Sequence, residues 1–96
     1  MDKLRFEWDD KKSVSNFKKH GINFEEASTA FYDENARLIH DPDHSISEER
    51  YVLLGISVKL RFLVVVHIYK DKEEIIRIIS ARKATKTETK YYSKIK

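Results

Sequence analysis

Phe6-Glu7-Trp8-Asp9, followed by a Lys-rich segment ending at Lys19-His20-Gly21, is the stretch on which the fold turns. Leu4 to Trp8 is apolar enough for a short strand. Asp9 or Asp10 can cap a helix by accepting from the free amides of its first turn. Within that helix Val14 and Phe17 stand at i, i+3, while Lys11, Lys12, Lys18 and Lys19 fall mostly on other faces. His20-Gly21 ends it. A cation in the last turn complements the helix dipole, and glycine takes the left-handed conformation that closes a helix. Asn23 then starts a second helix, with Glu26 in capping-box position and Ile22 placed as a hydrophobic staple.

Further along, Ala36-Arg37-Leu38-Ile39 reads as a minor strand and Asp41-Pro42-Asp43 as a turn. His44 to Glu49 is a polar loop or a single helical turn. Three strands rich in β-branched residues follow: Arg50 to Ser57, Arg61 to Tyr69, and Glu74 to Ala81. Lys70-Asp71-Lys72-Glu73 makes a hairpin loop, whereas the loop at Val58-Lys59 lacks the Gly or Asn that would define its turn. A polar, basic helix runs from about Lys86 to Ile95. The order β-α-α-β-β-β-β-α indicates an α+β protein, an antiparallel sheet with helices mostly on one face. Runs such as Leu63-Val64-Val65-Val66 and Ile75-Ile76-Arg77-Ile78-Ile79 suggest burial on both faces. Three short helices cannot supply that much cover, so a partner chain is expected over the open side.

The 96 residues are expected to make one domain, spanning 1–96. The absence of cysteine excludes disulfides, thiolate metal sites and Cys nucleophiles, and it fits a reducing compartment. No apolar run follows the charged N-terminus as a signal peptide requires, and none is long enough to span a bilayer. A cytoplasmic location is the expectation. His20, His40, His44 and His67 form no metal-binding pair of recognised spacing, and no Gly-rich phosphate loop or G-x-S-x-G elbow is present. No metal site and no cofactor are expected.

The net charge of +3 is unevenly spread. Glu25 to Glu49 carries eight acidic residues against Arg37 alone, a net −7, which leaves +10 for the rest of the chain. A polyanion is therefore expected on one surface, with the acidic segment turned away from it, towards a basic partner. Arg61, Leu63, Val65, His67 and Tyr69 share one strand face. Arg50 opens the preceding strand, Arg82 leaves the last one, and Arg82, Lys86, Lys90 and Lys94 are spaced by four. Guanidinium groups can hold phosphate and imidazole can exchange protons, so such a set suits RNA and attack of a 2′-OH on the adjacent phosphorus. Each residue also has a plain structural role open to it. His67 can be a satisfied core histidine, His20 a helix-end cation, Arg77 the partner of a carboxylate, and Tyr91 and Tyr92 anchors of the last helix.

Phe6-Glu7-Trp8-Asp9, Lys12, Asn16, Lys19-His20-Gly21 and Phe24-Glu25-Glu26-Ala27 together resemble the opening signature of BrnT toxins from bacterial type II toxin–antitoxin modules. Arg50-Tyr51-Val52-Leu53-Leu54-Gly55, Leu63-Val64-Val65-Val66-His67 and Ile78-Ile79-Ser80-Ala81-Arg82-Lys83-Ala84-Thr85 agree in order and spacing, and the resemblance covers about Phe6 to Tyr92. It implies a RelE-like ribonuclease fold, with a small antiparallel sheet, two N-terminal helices and one C-terminal helix. It also implies a metal-independent endoribonuclease that inhibits translation. The implied partner is a BrnA-like ribbon-helix-helix antitoxin, in a 2:2 complex that reaches DNA only through the antitoxin. Carried onto these positions, Arg82 is first choice for phosphate contact, followed by Arg61 and Arg50. His67 is the candidate for proton transfer with His20 behind it, and Lys86, Lys90, Tyr91 and Lys12 are candidates for RNA binding. The family commonly has a glycine in the loop that reads Ser57-Val58-Lys59-Leu60 here, and a proline-like residue where Lys83 stands. The alternative is a catalytically inactive toxin-like module that binds RNA or only its antitoxin.

Overall fold

The computed structural model describes residues 3–41 and 49–93. Five strands, β1 (Arg5–Glu7), β2 (Arg37–Asp41), β3 (Arg50–Ile56), β4 (Phe62–Lys70) and β5 (Ile75–Lys83), form one sheet in the order β1-β5-β4-β3-β2. Helices α1 (Asp10–His20) and α2 (Phe24–Thr29), continued by a 3₁₀ turn at Ala30–Tyr32, lie between β1 and β2, and α3 (Lys86–Ser93) follows β5. The α+β class is as expected. The sheet is not wholly antiparallel, however: β1 runs parallel to β5, from Arg5 opposite Ile75 to Glu7 opposite Arg77. Parallel pairing needs a long crossover, and the α1–α2 pair supplies it by carrying the chain to the opposite edge.

Local chemistry sets the helix ends. The Asp9 carboxylate accepts from the Lys11 and Lys12 amides at 2.8 and 3.4 Å, and Gly21 closes α1 at φ 75° with its N–H on Phe17 O. The Asn23 side chain accepts from the Glu26 amide at 2.8 Å. Glu26 does not return the bond as a capping box would. Its carboxylate is buried and accepts instead from Ser57 Oγ at 2.7 Å, from Arg61 Nε at 2.8 Å and from Arg61 Nη2.

Alternation along the strands divides the side chains between two faces. One face buries Leu53, Leu63, Val65, Ile78 and Ala81 against Ile22, Phe24, Ala27 and Ala30 of the helical layer, with Phe6, Trp8 and Phe31 packed around them. Gly55 is required here, because a Cβ would stand 2.9 Å from Ala30 O. Among the described residues the other face is covered only at one end, where Tyr92 of α3 packs on Leu54, Val64 and Phe62. The Tyr92 hydroxyl donates to Asp33 Oδ2 at 2.9 Å, tying α3 to the loop before β2.

Two features, the first a departure from the sequence reading, matter for the site. The last strand extends to Lys83, past its expected end at Ala81, so Arg82 lies within the sheet, opposite Val64. Arg82 and the α3 lysines therefore do not form one helical stripe, and Lys94 lies outside the described residues. The second feature is the structural role of Asn16. Beyond the three residues of β1, the edge of β5 is met by this side chain, whose Oδ1 accepts from Ala81 N at 3.2 Å and whose Nδ2 donates to Ala81 O at 2.8 Å. Nδ2 also donates to Ile22 O at 2.8 Å, so one amide fixes α1 both to the sheet and to the start of α2. The expected turn at Asp41-Pro42-Asp43 and the segment from His44 to Glu49 fall almost wholly outside the described residues, apart from Asp41, which ends β2, and Glu49.

Candidate active site

On the sheet face that α1 and α2 leave open, β3, β4 and β5 contribute Val52, Val64, Val66 and Ser80 to the floor of a groove of about 290 Å³. Its rim is polar: His20, Asp41, Arg82 and Glu88. Each arrives for an identifiable reason. Asn16 holds α1 along the β5 edge, so His20, in the last turn of α1, reaches the groove. Arg82 points to this face because it pairs with Val64, which lies on it. Asp41 is opposite Arg50, and alternation gives both residues the same face as Val52. Glu88 stands in the first turn of α3, where Thr85 and Glu88 form a reciprocal capping box: Thr85 N donates to Glu88 Oε1 at 2.8 Å and Glu88 N to Thr85 Oγ1 at 3.2 Å.

Arg82 and Glu88 are joined end to end, with Nη1 to Oε1 and Nη2 to Oε2 both at 2.8 Å. This charged, hydrogen-bonded fork holds the Glu88 carboxyl down to about 2, a direction reinforced by the Thr85 amide and opposed by partial burial. Among the described residues, no group of three or more His, Asp or Glu is placed to hold a metal ion.

His67 and Arg61 are not part of this groove. His67 is wholly buried beneath the helical layer, its ring edge-on to Phe31 at 4.7 Å. Its Nδ1–H donates to Val65 O at 3.1 Å and its Nε2 accepts from the Tyr69 hydroxyl at 3.3 Å. Burial pushes its pKa down to about 4, only partly offset by the bond to Val65 O, so the ring is neutral. A ring with no exposure to solvent and both nitrogens engaged by neighbouring groups is a core residue. Arg61 is committed to Glu26 and also donates to Gly21 O at 3.2 Å, a buried network that braces the β3–β4 hairpin against the α1–α2 turn.

Lys12, Lys86 and Lys90 are exposed, Lys12 on α1 and the other two on α3, and none lines the groove. Tyr91 is partly covered by Arg37 of β2, whose guanidinium carbon lies 4.7 Å from the ring centre. Nor is the acidic segment held apart from the candidate site, as its charge suggested. Asp41 lies on the groove rim, while Glu26 and Asp33 serve the interior. Glu48 falls outside the described residues.

Residues 8–88 match the family described as "Ribonuclease toxin, BrnT, of type II toxin-antitoxin system". The chain belongs to the BrnT family. A similar solved structure is the 1.1 Å crystal structure of the Brucella abortus ribonuclease toxin, BrnT, which aligns with a TM-score of 0.64 at 22% identity over 88% of this chain and all of that one. At that identity the likeness is one of fold. A comparison with curated protein sequences finds no significant match. As a member of the BrnT family the chain has an antitoxin as its expected counterpart.

Within this BrnT fold the groove brings together Arg82 and His20, both anticipated from sequence, with Ser80, Asp41 and Glu88, which were not. Glu88 had a readable signal, the Thr85-x-x-Glu88 capping pattern beginning three residues after Arg82. Nothing local announces Ser80 or Asp41, whose positions depend on strand pairing.

Proposed function

We propose that this groove is the site of metal-independent RNA cleavage, through which the protein inhibits translation in the cytoplasm. The observation that carries this reading is the joint placement of Arg82 and His20 on a sheet face that α1 and α2 leave open and α3 covers only in part. Arg82 supplies two parallel N–H donors matched to a phosphodiester's oxygens and to the extra charge on phosphorus during attack. His20 is the groove's imidazole and takes part in proton transfer. The 2′-OH attacks phosphorus as its proton passes to a groove base, the P–O5′ bond breaks, and the departing 5′-oxygen gains a proton. The products are a 2′,3′-cyclic phosphate and a free 5′-hydroxyl. Arg50 extends the basic rim, and Lys86, Lys90 and Tyr91 of α3 provide a track for the RNA backbone and bases beyond it.

The same uncovered face is the surface on which a BrnA-like ribbon-helix-helix antitoxin would lie, closing the groove within a 2:2 complex. Among the described residues no helix is long and apolar enough to cross a membrane. The decisive experiment is cleavage of a labelled RNA by purified protein in excess EDTA, paired with growth after induced expression. Wild type should cleave and arrest growth, while Arg82→Ala and His20→Ala should each lose about 10²-fold or more in rate. A wild type that binds antitoxin but leaves RNA intact would instead establish the non-catalytic reading. That second reading draws on the burial of His67, which leaves His20 as the sole groove histidine among the described residues.

A further inference from the structure

Arg82 is the groove's best-placed phosphate ligand, yet in the free chain its fork is already taken. Both terminal nitrogens are engaged by the two Glu88 oxygens at 2.8 Å, and Nη1 also donates to Lys83 O at 3.2 Å. A carboxylate and a phosphodiester present two oxygens to a guanidinium in nearly the same way, so they compete for one edge. We infer that Glu88 is an internal anion that occupies the phosphate position in the free protein and is exchanged for substrate phosphate when RNA binds. This rests on the groove being the RNA site.

Three features suit Glu88 to that role rather than to simple bracing. The pair is open to solvent, with side-chain exposures of 43% for Arg82 and 32% for Glu88, so exchange does not require the core to open. Glu88 has a second set of partners in the Thr85 capping box, so a carboxylate displaced from Arg82 still has the Thr85 amide at 2.8 Å to accept from. Glu88 also lines the same groove as Arg82 and His20, so its charge stands where an approaching phosphodiester must go. Until it is displaced, the carboxylate keeps Arg82 pointed correctly and repels anions that cannot outcompete it. Glu88 is thus a positioning residue that acts through Arg82, raising the threshold an anion must pass to enter the groove.

The test measures binding of a fluorescent 2′-O-methyl RNA oligonucleotide, which cannot be cleaved, by anisotropy at fixed salt. Glu88→Gln is the informative variant, because glutamine keeps an acceptor for the capping box while removing the charge. Glu25→Gln, an equal charge change on exposed α2, corrects for the general attraction of a more positive protein. Thermal unfolding checks that each variant folds, and Glu88→Ser serves as a second variant with the same expected sign. Relative to Glu25→Gln, Glu88→Gln should tighten binding about two- to fivefold, the range expected on freeing a partly exposed charge pair. That gain should vanish in an Arg82→Ala background. Equal affinities for Glu88→Gln and Glu25→Gln, or a gain that persists without Arg82, would overturn the inference while leaving the groove as the RNA site. Wild-type binding that is absent, or indifferent to Arg82→Ala, would overturn both.

Discussion

Acid should destabilise this protein through one histidine, starting at a pH well above the ordinary carboxylate range. His67 is neutral in the fold because it is buried, its pKa falling from 6.5 to about 4. The unfolded chain binds a proton near 6.5 that the folded chain refuses until about 4, so stability is full above 6.5 and declines as pH falls towards 4. With about 1.4 kcal/mol for each tenfold change in proton affinity, the limiting loss is about 3 kcal/mol, and about 2.5 kcal/mol of it should be gone by about pH 4.5. Glu26 and Glu88 act in the same direction but at lower pH. Their lowered values mean that their contributions are lost as pH falls through and below the ordinary carboxylate value of 4.5. Urea titrations at about pH 7.5, 6.5, 5.5 and 4.5, on wild type and His67→Gln, isolate the effect. Wild type should lose about 2.5 kcal/mol more than the variant across that range. The His67 ring resonances should also stay at their neutral positions down to about pH 5. Equal slopes for the two proteins, or a His67 ring that titrates near 6.5, would refute the assignment of His67 to the core and return it to the list of proton-transfer groups.

Two further predictions concern the backbone. Leu60 sits at φ 62° at the tip of the β3–β4 hairpin and is 84% exposed, so it bears left-handed strain without burial in return. Leu60→Gly should raise stability by about 0.5–1 kcal/mol, read as a higher urea midpoint at unchanged m-value, and a loss of stability would contradict the strain argument. Asn16→Ala should lower stability by about 3 kcal/mol, because it strands the Ala81 amide and carbonyl and the Ile22 carbonyl in the interior. Hydrogen exchange at the Ala81 amide should accelerate well beyond that of its strand neighbours, and uniform acceleration would mean that Asn16 is not a specific clasp.

The parts of the fold legible in the sequence were those written in consecutive residues. Asp9, Gly21 and Asn23 act where they stand, and the Lys70–Glu73 loop joins β4 to β5 as expected even though Asp71, Lys72 and Glu73 all take positive φ. The loop at Ser57–Leu60 shows why a glycine suits this place, since Leu60 itself occupies the left-handed position. Pairing between distant segments was not legible. Strand alternation correctly grouped Arg61, Leu63, Val65 and His67, but alternation says only which residues share a face, never which face the helices cover. Helical cover decides the chemistry: the face with His67 received Phe31, and the face with Arg82 stayed open. The irregularity near Ile79 illustrates the same limit, for the register moves from Val66 opposite Ser80 to His67 opposite Ile78. His20 ranked behind His67 for proton transfer, with a helix-end role open to it, because nothing nearby reveals that Asn16 grips a strand 65 residues away.

That grip has a consequence for assembly. The Asn16 amide meets Ala81 much as a paired residue of a neighbouring strand would, offering one donor and one acceptor. With β1 beside residues 75–77 and Asn16 at Ala81, this margin of the sheet is largely closed to any further strand. The opposite margin, at β2, exposes Leu38 and Ile39 and, among the described residues, has no strand beyond it in the sheet order. A chain joining this protein by strand addition, or an aggregate growing from it, is therefore directed to one side of the molecule.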